Sequence, residues 1–257
     1  MKKVRVEAST KKDRTSEIFG NPMSKKVIRK AQKSKQKNQK KYGDDSKVNY
    51  QCIIRDNPCI GEPLGVKNVV VTRKEGKGSF DEEKGVIVGN IRMGFGHYRI
   101  SMAIASAAHA LGYTPYWMDL NSYPETTCTK LISAQNELYS LGSRISQKSK
   151  LFNKFVWEPV NYEGFRQLSY NAADQKNAEL MAPVYHSVPK NIPVIATHVW
   201  PAQAAVHAGM KHVVNAIPDN WPMALHYAQG SLHTVQTHYA YQGYRIGNGM
   251  MKDKVVQ

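Results

Sequence analysis

The chain has 257 residues, enough for one large domain or two small ones, and 41% of them are hydrophobic, which can supply a core. Lys and Arg number 36 against 20 Asp and Glu, a formal net charge of +16. The three cysteines, Cys52, Cys59 and Cys128, are too few and too far apart for a disulfide framework or a paired zinc motif. No apolar run of about 18 residues could span a membrane, and no apolar segment follows the basic N-terminus as a signal peptide requires. A disulfide-rich secreted scaffold and a membrane-spanning protein are excluded, and the expected location is cytoplasmic.

Residues 1–47 carry much of the excess charge, with Lys25, Lys26, Arg29, Lys30, Lys33, Lys35, Lys37, Lys40 and Lys41 in close succession. Val27, Ile28 and Ala31 form only a thin apolar stripe, so this segment is expected to be a disordered basic tail or a solvated helix. Such a tail attracts polyanions without choosing among them. An anionic membrane surface, nucleic acid and plain solvation with no partner all stay open, and no RNP, KH or zinc-finger signature accompanies the tail. Residues 48–84 hold two short apolar runs, Cys52-Ile53-Ile54 and Val69-Val70-Val71, separated by Pro58, Gly61, Pro63 and Gly65. They read as a short strand-rich extension.

From Gly85 onward the pattern is that of an α/β domain, expected over residues 85–257. Val86-Ile87-Val88 suits a strand buried on both faces. Ile100, Ala103, Ile104, Ala107, Ala108 and Leu111 then recur at helical spacing, and Gly112 stops the helix. Residues 115–120 give a second strand, completing a βαβ unit. A mostly helical stretch follows over 130–181. Strands are expected again at 193–197, 212–217 and 232–236, alternating with helices at 201–208 and 239–246. This alternation predicts a Rossmann-like, doubly wound parallel sheet.

Ligands of such sheets sit beyond the carboxyl ends of the strands. The first loop there runs from Gly89 through Gly94, Phe95, Gly96 and His97 into a helix. Its glycines let the backbone approach a ligand, and a helix N-terminus offers free N–H groups to an anion. A P-loop is excluded because no Gly-Lys-Ser/Thr occurs. A dinucleotide fingerprint lacks its third glycine, since Arg99 stands there, although Asp119 sits where a ribose-binding acid would be. The loops after the later strands carry His198 and Trp200, then Asp219, Trp221 and His226, then His238. His97, His198, Asp219, His226 and His238 are expected to converge on one rim, with His97 and Asp219 the foremost candidates for chemistry. No HExxH or comparable spacing supports a metal centre.

The strand at residues 86–89, the Met93-Gly94-Phe95-Gly96-His97 loop and the alanine-rich helix to Gly112 resemble the opening βαβ of GT-B glycosyltransferases. The similarity is greatest to the monogalactosyldiacylglycerol synthase and processive diacylglycerol glucosyltransferase group. Ala196-Thr197-His198-Val199-Trp200-Pro201 resembles that group's segment after a mid-domain strand. Asp219, Trp221 and His226 resemble its Thr-Asp…Trp-x-His region, with Pro218 in the place of the usual Thr or Val. The pattern covers about residues 85–250.

The resemblance implies the acceptor-side half of a hexosyltransferase that uses a nucleotide sugar as substrate and needs no cofactor or metal. The chain ends where the group's second domain begins, so either it is a fragment, or a separate protein supplies the donor-binding half as a partner, or the fold has been reused for binding. His97 or Asp219 would act as base. Gly94, Phe95, Gly96, Asp119, His198, Trp200, Trp221 and His226 would bind substrate. A lipid acceptor would place residues 130–181, with Phe152, Phe155 and Trp157, at a peripheral membrane face; core packing of these aromatics is the alternative. A non-catalytic Rossmann-like binding or assembly protein is the rival reading of the whole chain.

Overall fold

The structure is a computed structural model that describes residues 13–246 apart from 75, 77 and 78. The first twelve residues of the basic segment, and the end of the expected domain after 246, lie outside the described residues. The elements in chain order begin with β1 (Glu17–Ile18), β2 (Asn21–Pro22), α1 (Lys25–Tyr42), β3 (Gln51–Asp56), α2 (Gly61–Leu64) and β4 (Lys67–Thr72). Then come β5 (Gly85–Asn90), α3 (Phe95–Ala110), β6 (Thr114–Asp119), α4 (Thr127–Lys148), α5 (Lys150–Phe152) and α6 (Leu168–Ala178). The last are β7 (Val194–Ala196), α7 (Val199–His207), β8 (Val213–Ala216), β9 (Leu232–Thr234) and α8 (His238–Ile246). No helix of the described residues is long and apolar enough to cross a membrane.

Seven strands form one sheet in the order β3-β4-β6-β5-β7-β8-β9, parallel throughout except for the antiparallel pair β3-β4. The expected doubly wound α/β fold is therefore present. Segment 48–84 is continuous with it: its two strands pair Cys52 with Val71 and form one edge of the same sheet. Every residue of β5 is buried, as a central parallel strand requires. Its register sets Val88 beside Trp117, and both pack with Val66 and Ala105 on the face that α3 covers. Ile87 and Tyr116 point the other way, into the larger core shared with Leu131, Val194, Ala205 and Val213. Helices thus cover both faces. Their order also places a reversal at the centre of the sheet: the chain leaves β5 for β6 on one side and later returns to β7 on the other.

Of the two expected states of the basic segment, disordered tail or solvated helix, residues 25–42 take the helical one, and the helix is docked on the domain. Residues 25–42 form a helix capped by Ser24, whose hydroxyl accepts the Val27 N–H, and it lies against α6. Ala31 is buried, Lys35 pairs with Glu179, and Asn38 donates to Asn177 at 2.9 Å. The rest of its lysines face outward. Ile18 and Phe19, from the β1-β2 hairpin, are buried with Ala172, Ile217, Tyr227 and Tyr244. Asp45 accepts the backbone N–H of Thr127 and the hydroxyl of Tyr50, which joins the segment to the first turn of α4. A thin stripe suffices because α6 presents polar partners for the positions next to it.

Removal of residues 1–47 is consequently expected to destabilise the domain. Loss of two buried apolar side chains and the Asp45 bonds should cost roughly 4–6 kcal/mol, or about 10 °C or more in Tm. Thermal melting of the truncated chain checks this, and an unchanged Tm would show that the segment is no part of the fold.

Candidate functional site

The crevice between β5 and β7 is the point where the strand order reverses, the usual ligand position of an open α/β sheet. The glycine loop leaves β5 there. Gly94 has φ 75°, a conformation that a residue with a Cβ rarely adopts, and it starts α3 immediately. The apolar spacing marks the helix only from Ile100; it begins at Phe95, so His97 stands in its first turn. A Cβ added at Gly94 or Gly96 would meet nothing within 4 Å, so the space above this helix end is open.

His97 Nδ1 lies 2.6 Å from the carbonyl oxygen of Thr197, the residue just past β7. A carbonyl only accepts, so Nδ1 carries the proton and the lone pair of the neutral ring is on Nε2. Among the described residues no protein group bonds that nitrogen. The ring of His97 meets His198 edge-on at 5.0 Å between centroids, and His198 meets Trp200 at 4.7 Å. His198 Nδ1 accepts the Trp200 backbone N–H, which leaves the proton of the neutral ring on Nε2. Burial, with His97 and His226 nearby, pushes the His198 imidazole well below the usual histidine range. The two rings therefore offer opposite functions, an acceptor on His97 and a donor on His198.

Asp219 follows β8, and its carboxylate lies 3.3 Å from Nε2 of His226. Burial pushes the His226 imidazole down to about 4, and the half-exposed Asp219 opposes this without overcoming it, because solvent screens its charge. Nδ1 of His226 is 2.5 Å from the hydroxyl of Tyr244, contributed by α8. Asn215 holds the His226 carbonyl at 2.6 Å.

His97, His198, Asp219 and His226 line one cavity of about 530 Å³ together with Trp200. The remaining wall comes from the 130–181 region. Leu138 and Tyr139 of α4, Trp157, Val160 and Asn161 from two π-helical turns, and Phe165 and Tyr170 close the opposite side. Single π-helical turns often mark functional sites, since the widened turn redirects side chains. Gly142 in α4 makes room for the Trp157 ring, which a Cβ there would strike. The cavity is apolar along this wall and polar at the histidine end.

Other sequence-predicted residues fall elsewhere. Asp119 does not line the cavity; its carboxylate is held by Arg92 Nε at 2.8 Å, Ser122 Oγ at 2.9 Å and the Asn121 N–H at 2.9 Å. It ties the glycine loop to the loop after β6. Trp221 is exposed on the rim, edge-on to Tyr162 and beneath the guanidinium of Arg166. Phe95 is 81% exposed at the start of α3. His238 is exposed at the start of α8 and outside the cavity, so four of the five groups expected on one rim meet there. Phe155 is exposed, Phe152 is half-buried, and only Trp157 of the three expected aromatics reaches the cavity. Sequence reading missed Thr197, Ser101, Gln135, Tyr139 and Tyr244. No group of three or more His, Cys, Asp or Glu among the described residues could hold a metal ion.

A parallel sheet with its crevice at the reversal of strand order, a glycine loop feeding a helix, and histidines at the strand ends define a Rossmann-like α/β protein. The chain belongs to the family described as a domain of unknown function (DUF6937), whose pattern matches residues 17–246. No curated protein and no solved structure matches it.

Proposed function

We propose that this chain is the acceptor-side half of a nucleotide-sugar-dependent glycosyltransferase that acts on a lipid acceptor. The observation that carries the reading is His97: its Nδ1–H is committed to Thr197, and the residue lines a cavity polar at one end and apolar along the other. In this reading the hydroxyl of the acceptor lies against His97 Nε2 and His198 Nε2–H. His97 takes the hydroxyl proton as the acceptor oxygen attacks the anomeric carbon. The bond from that carbon to the diphosphate breaks, and the diphosphate leaves with the electron pair. The free N–H groups at the start of α3 give the positive potential that favours the leaving anion. Asp219 lies against His226 in the wall of the same cavity. The donor itself is bound by a second, donor-binding half.

The lipid is supported by the apolar wall, which continues outward. Leu138 and Val160 line the cavity and are also exposed, beside exposed Leu141, Leu151, Phe155 and Tyr162. Exposed Arg144, Lys148, Lys150 and Lys154 are interleaved with them. Protein interfaces are depleted in lysine, whereas apolar side chains among cations suit an anionic lipid surface. The outward lysines of α1 add to that attraction, and the protein would work as a peripheral protein on the inner membrane face.

The test uses the chain with and without a donor-binding half, on vesicles that contain an anionic lipid and a glycerolipid acceptor. With Trp157 and Trp200 in the cavity wall, tryptophan fluorescence is expected to report acceptor binding by the chain alone. Transfer from UDP- or GDP-sugars is expected only with the second half present. Binding without transfer in any combination would favour the non-catalytic reading. Transfer by the chain alone would overturn the division into halves, and no response to any acceptor would overturn the lipid.

A further inference from the structure

We propose that Ser101 and Thr197 are positioning residues that fix the tautomer and the ring direction of His97. The inference rests on the reading of His97 as the base, but its geometry is independent of any substrate. Ser101 lies one turn after His97 in α3, and its hydroxyl donates to the His97 carbonyl at 2.9 Å. The same oxygen is 2.9 Å from Thr197 Oγ1. A serine hydroxyl has one proton, so with that proton on the His97 carbonyl, Thr197 must donate to Ser101. Thr197 in turn is held by its own N–H, which donates to the Gly89 carbonyl at 3.0 Å and extends the β5-β7 pairing by one residue. Its carbonyl receives the His97 Nδ1–H.

The bonds close a ring: imidazole to Thr197 carbonyl, Thr197 hydroxyl to Ser101 hydroxyl, and Ser101 hydroxyl to His97 carbonyl. Ser101 and Thr197 are both fully buried. Water therefore does not compete for these bonds, and breaking one leaves a buried polar group unpaired. The ring joins α3 to the residue just past β7, and the Thr197 N–H bond to Gly89 ties it to β5, which couples the direction of the His97 ring to the rigid centre of the fold. A histidine in a helix's first turn would otherwise choose among rotamers and two neutral tautomers. Only the Nδ1–H form presents a basic nitrogen to the cavity.

The neighbouring rings make the choice matter. His198 presents its proton at Nε2, because its Nδ1 accepts from Trp200. If His97 took the other tautomer, two Nε2–H groups would face the cavity and neither could accept a hydroxyl proton.

Long-range ¹H–¹⁵N correlation spectra of the ¹⁵N-labelled chain read the tautomer directly. The expected result for the neutral ring is a protonated Nδ1 and an unprotonated Nε2 on His97. Thr197→Val keeps the backbone carbonyl and the volume but removes the hydroxyl, and Ser101→Ala removes the other; each should give a mixed or exchanging tautomer. Thr197→Ser and Ser101→Thr, which keep the hydroxyls, should restore the parent spectrum. In the two-half enzyme, kcat is expected to fall roughly 10- to 100-fold in the first pair, with KM nearly unchanged, as for other groups that orient a functional side chain.

An Nε2–H tautomer in the parent chain would overturn the proposal. So would an unaltered tautomer in Thr197→Val and Ser101→Ala; should either fail to fold, the spectrum of the parent still decides. A locked tautomer together with full activity of a His97 variant would instead overturn the base role and leave the lock standing.

Discussion

Replacing His97 by alanine is expected to lower transfer by the two-half enzyme roughly 10²–10⁴-fold, the usual share of a positioned acid–base group. The melting temperature should fall by only a few degrees. The His97 ring is partly exposed and buries little apolar area, so the main loss is one hydrogen bond to the Thr197 carbonyl, worth about 1 kcal/mol. Melting and turnover of the same variant separate the two roles. A core residue would lose stability and spare activity, and a variant equal to the parent in both would remove His97 from the site. Asp219→Asn should have a smaller effect, because its carboxylate acts through His226 and is half in solvent. Comparing the two variants in one assay identifies which group takes the proton.

Acidification below pH 6.5 is expected to unfold the domain steeply, with most of its stability gone before pH 4. Burial pushes the imidazoles of His226 and His233 down to about 4, and His198 moves the same way. His207 also falls to about 4, although it is more open to solvent and counts for less. A folded-state value below the unfolded value means that the unfolded chain takes up protons first as the pH falls. Stability is then full above about pH 6.5 and is lost toward pH 4, by roughly 3 kcal/mol each for His226 and His233.

Asp174 works in the opposite direction. Buried beneath Trp200, whose indole N–H is 3.4 Å away, its carboxyl is pushed up to about 7 by loss of solvent. The folded state therefore holds this proton where the unfolded chain has released it, so the group favours folding at low pH and loses that contribution as pH rises from about 4 toward 7. The histidines outnumber it, and their combined loss is comparable to the whole stability of a typical domain, about 5–15 kcal/mol. Urea denaturation at stepped pH checks this. A stability that stays flat between pH 7 and 4.5 would mean that these rings are hydrated in solution.

The central βαβ unit was legible in the sequence for a plain reason. A strand buried on both faces needs a continuous apolar run, and Val86, Ile87 and Val88 supply it without help from other parts of the chain. The glycine loop was equally legible, because only glycine takes the φ of Gly94 readily and because the helix after it keeps a regular apolar spacing. The limits of α3 were less so, since a first turn made of Phe95, Gly96, His97 and Tyr98 has no capping side chain and little helix propensity. Residues 13–47 left a disordered tail and a helix both open for the opposite reason. Lysine and glutamine are good helix formers, and what decides between a solvated tail and a packed helix is the partner surface. Here that surface is α6, more than a hundred residues later, with Glu179 and Asn177 set beside it.

The sequence by itself determined the parallel α/β class, the glycine loop at a strand's carboxyl end, and the choice of His97, His198, Asp219 and His226 as candidates. These follow from local rules: periodicity, turn geometry, and the position of polar residues after apolar runs. Only the tertiary structure decided that those four side chains share a cavity while His238 does not, that Arg92 pairs with Asp119, and that Trp157 and Tyr139 form the facing wall. It alone gave His97 its tautomer, because the hydroxyls and the carbonyl that fix the ring come from Ser101 and Thr197 on different elements. Hydrogen-bond geometry between distant segments is set by strand order and register, and a local pattern does not carry that information.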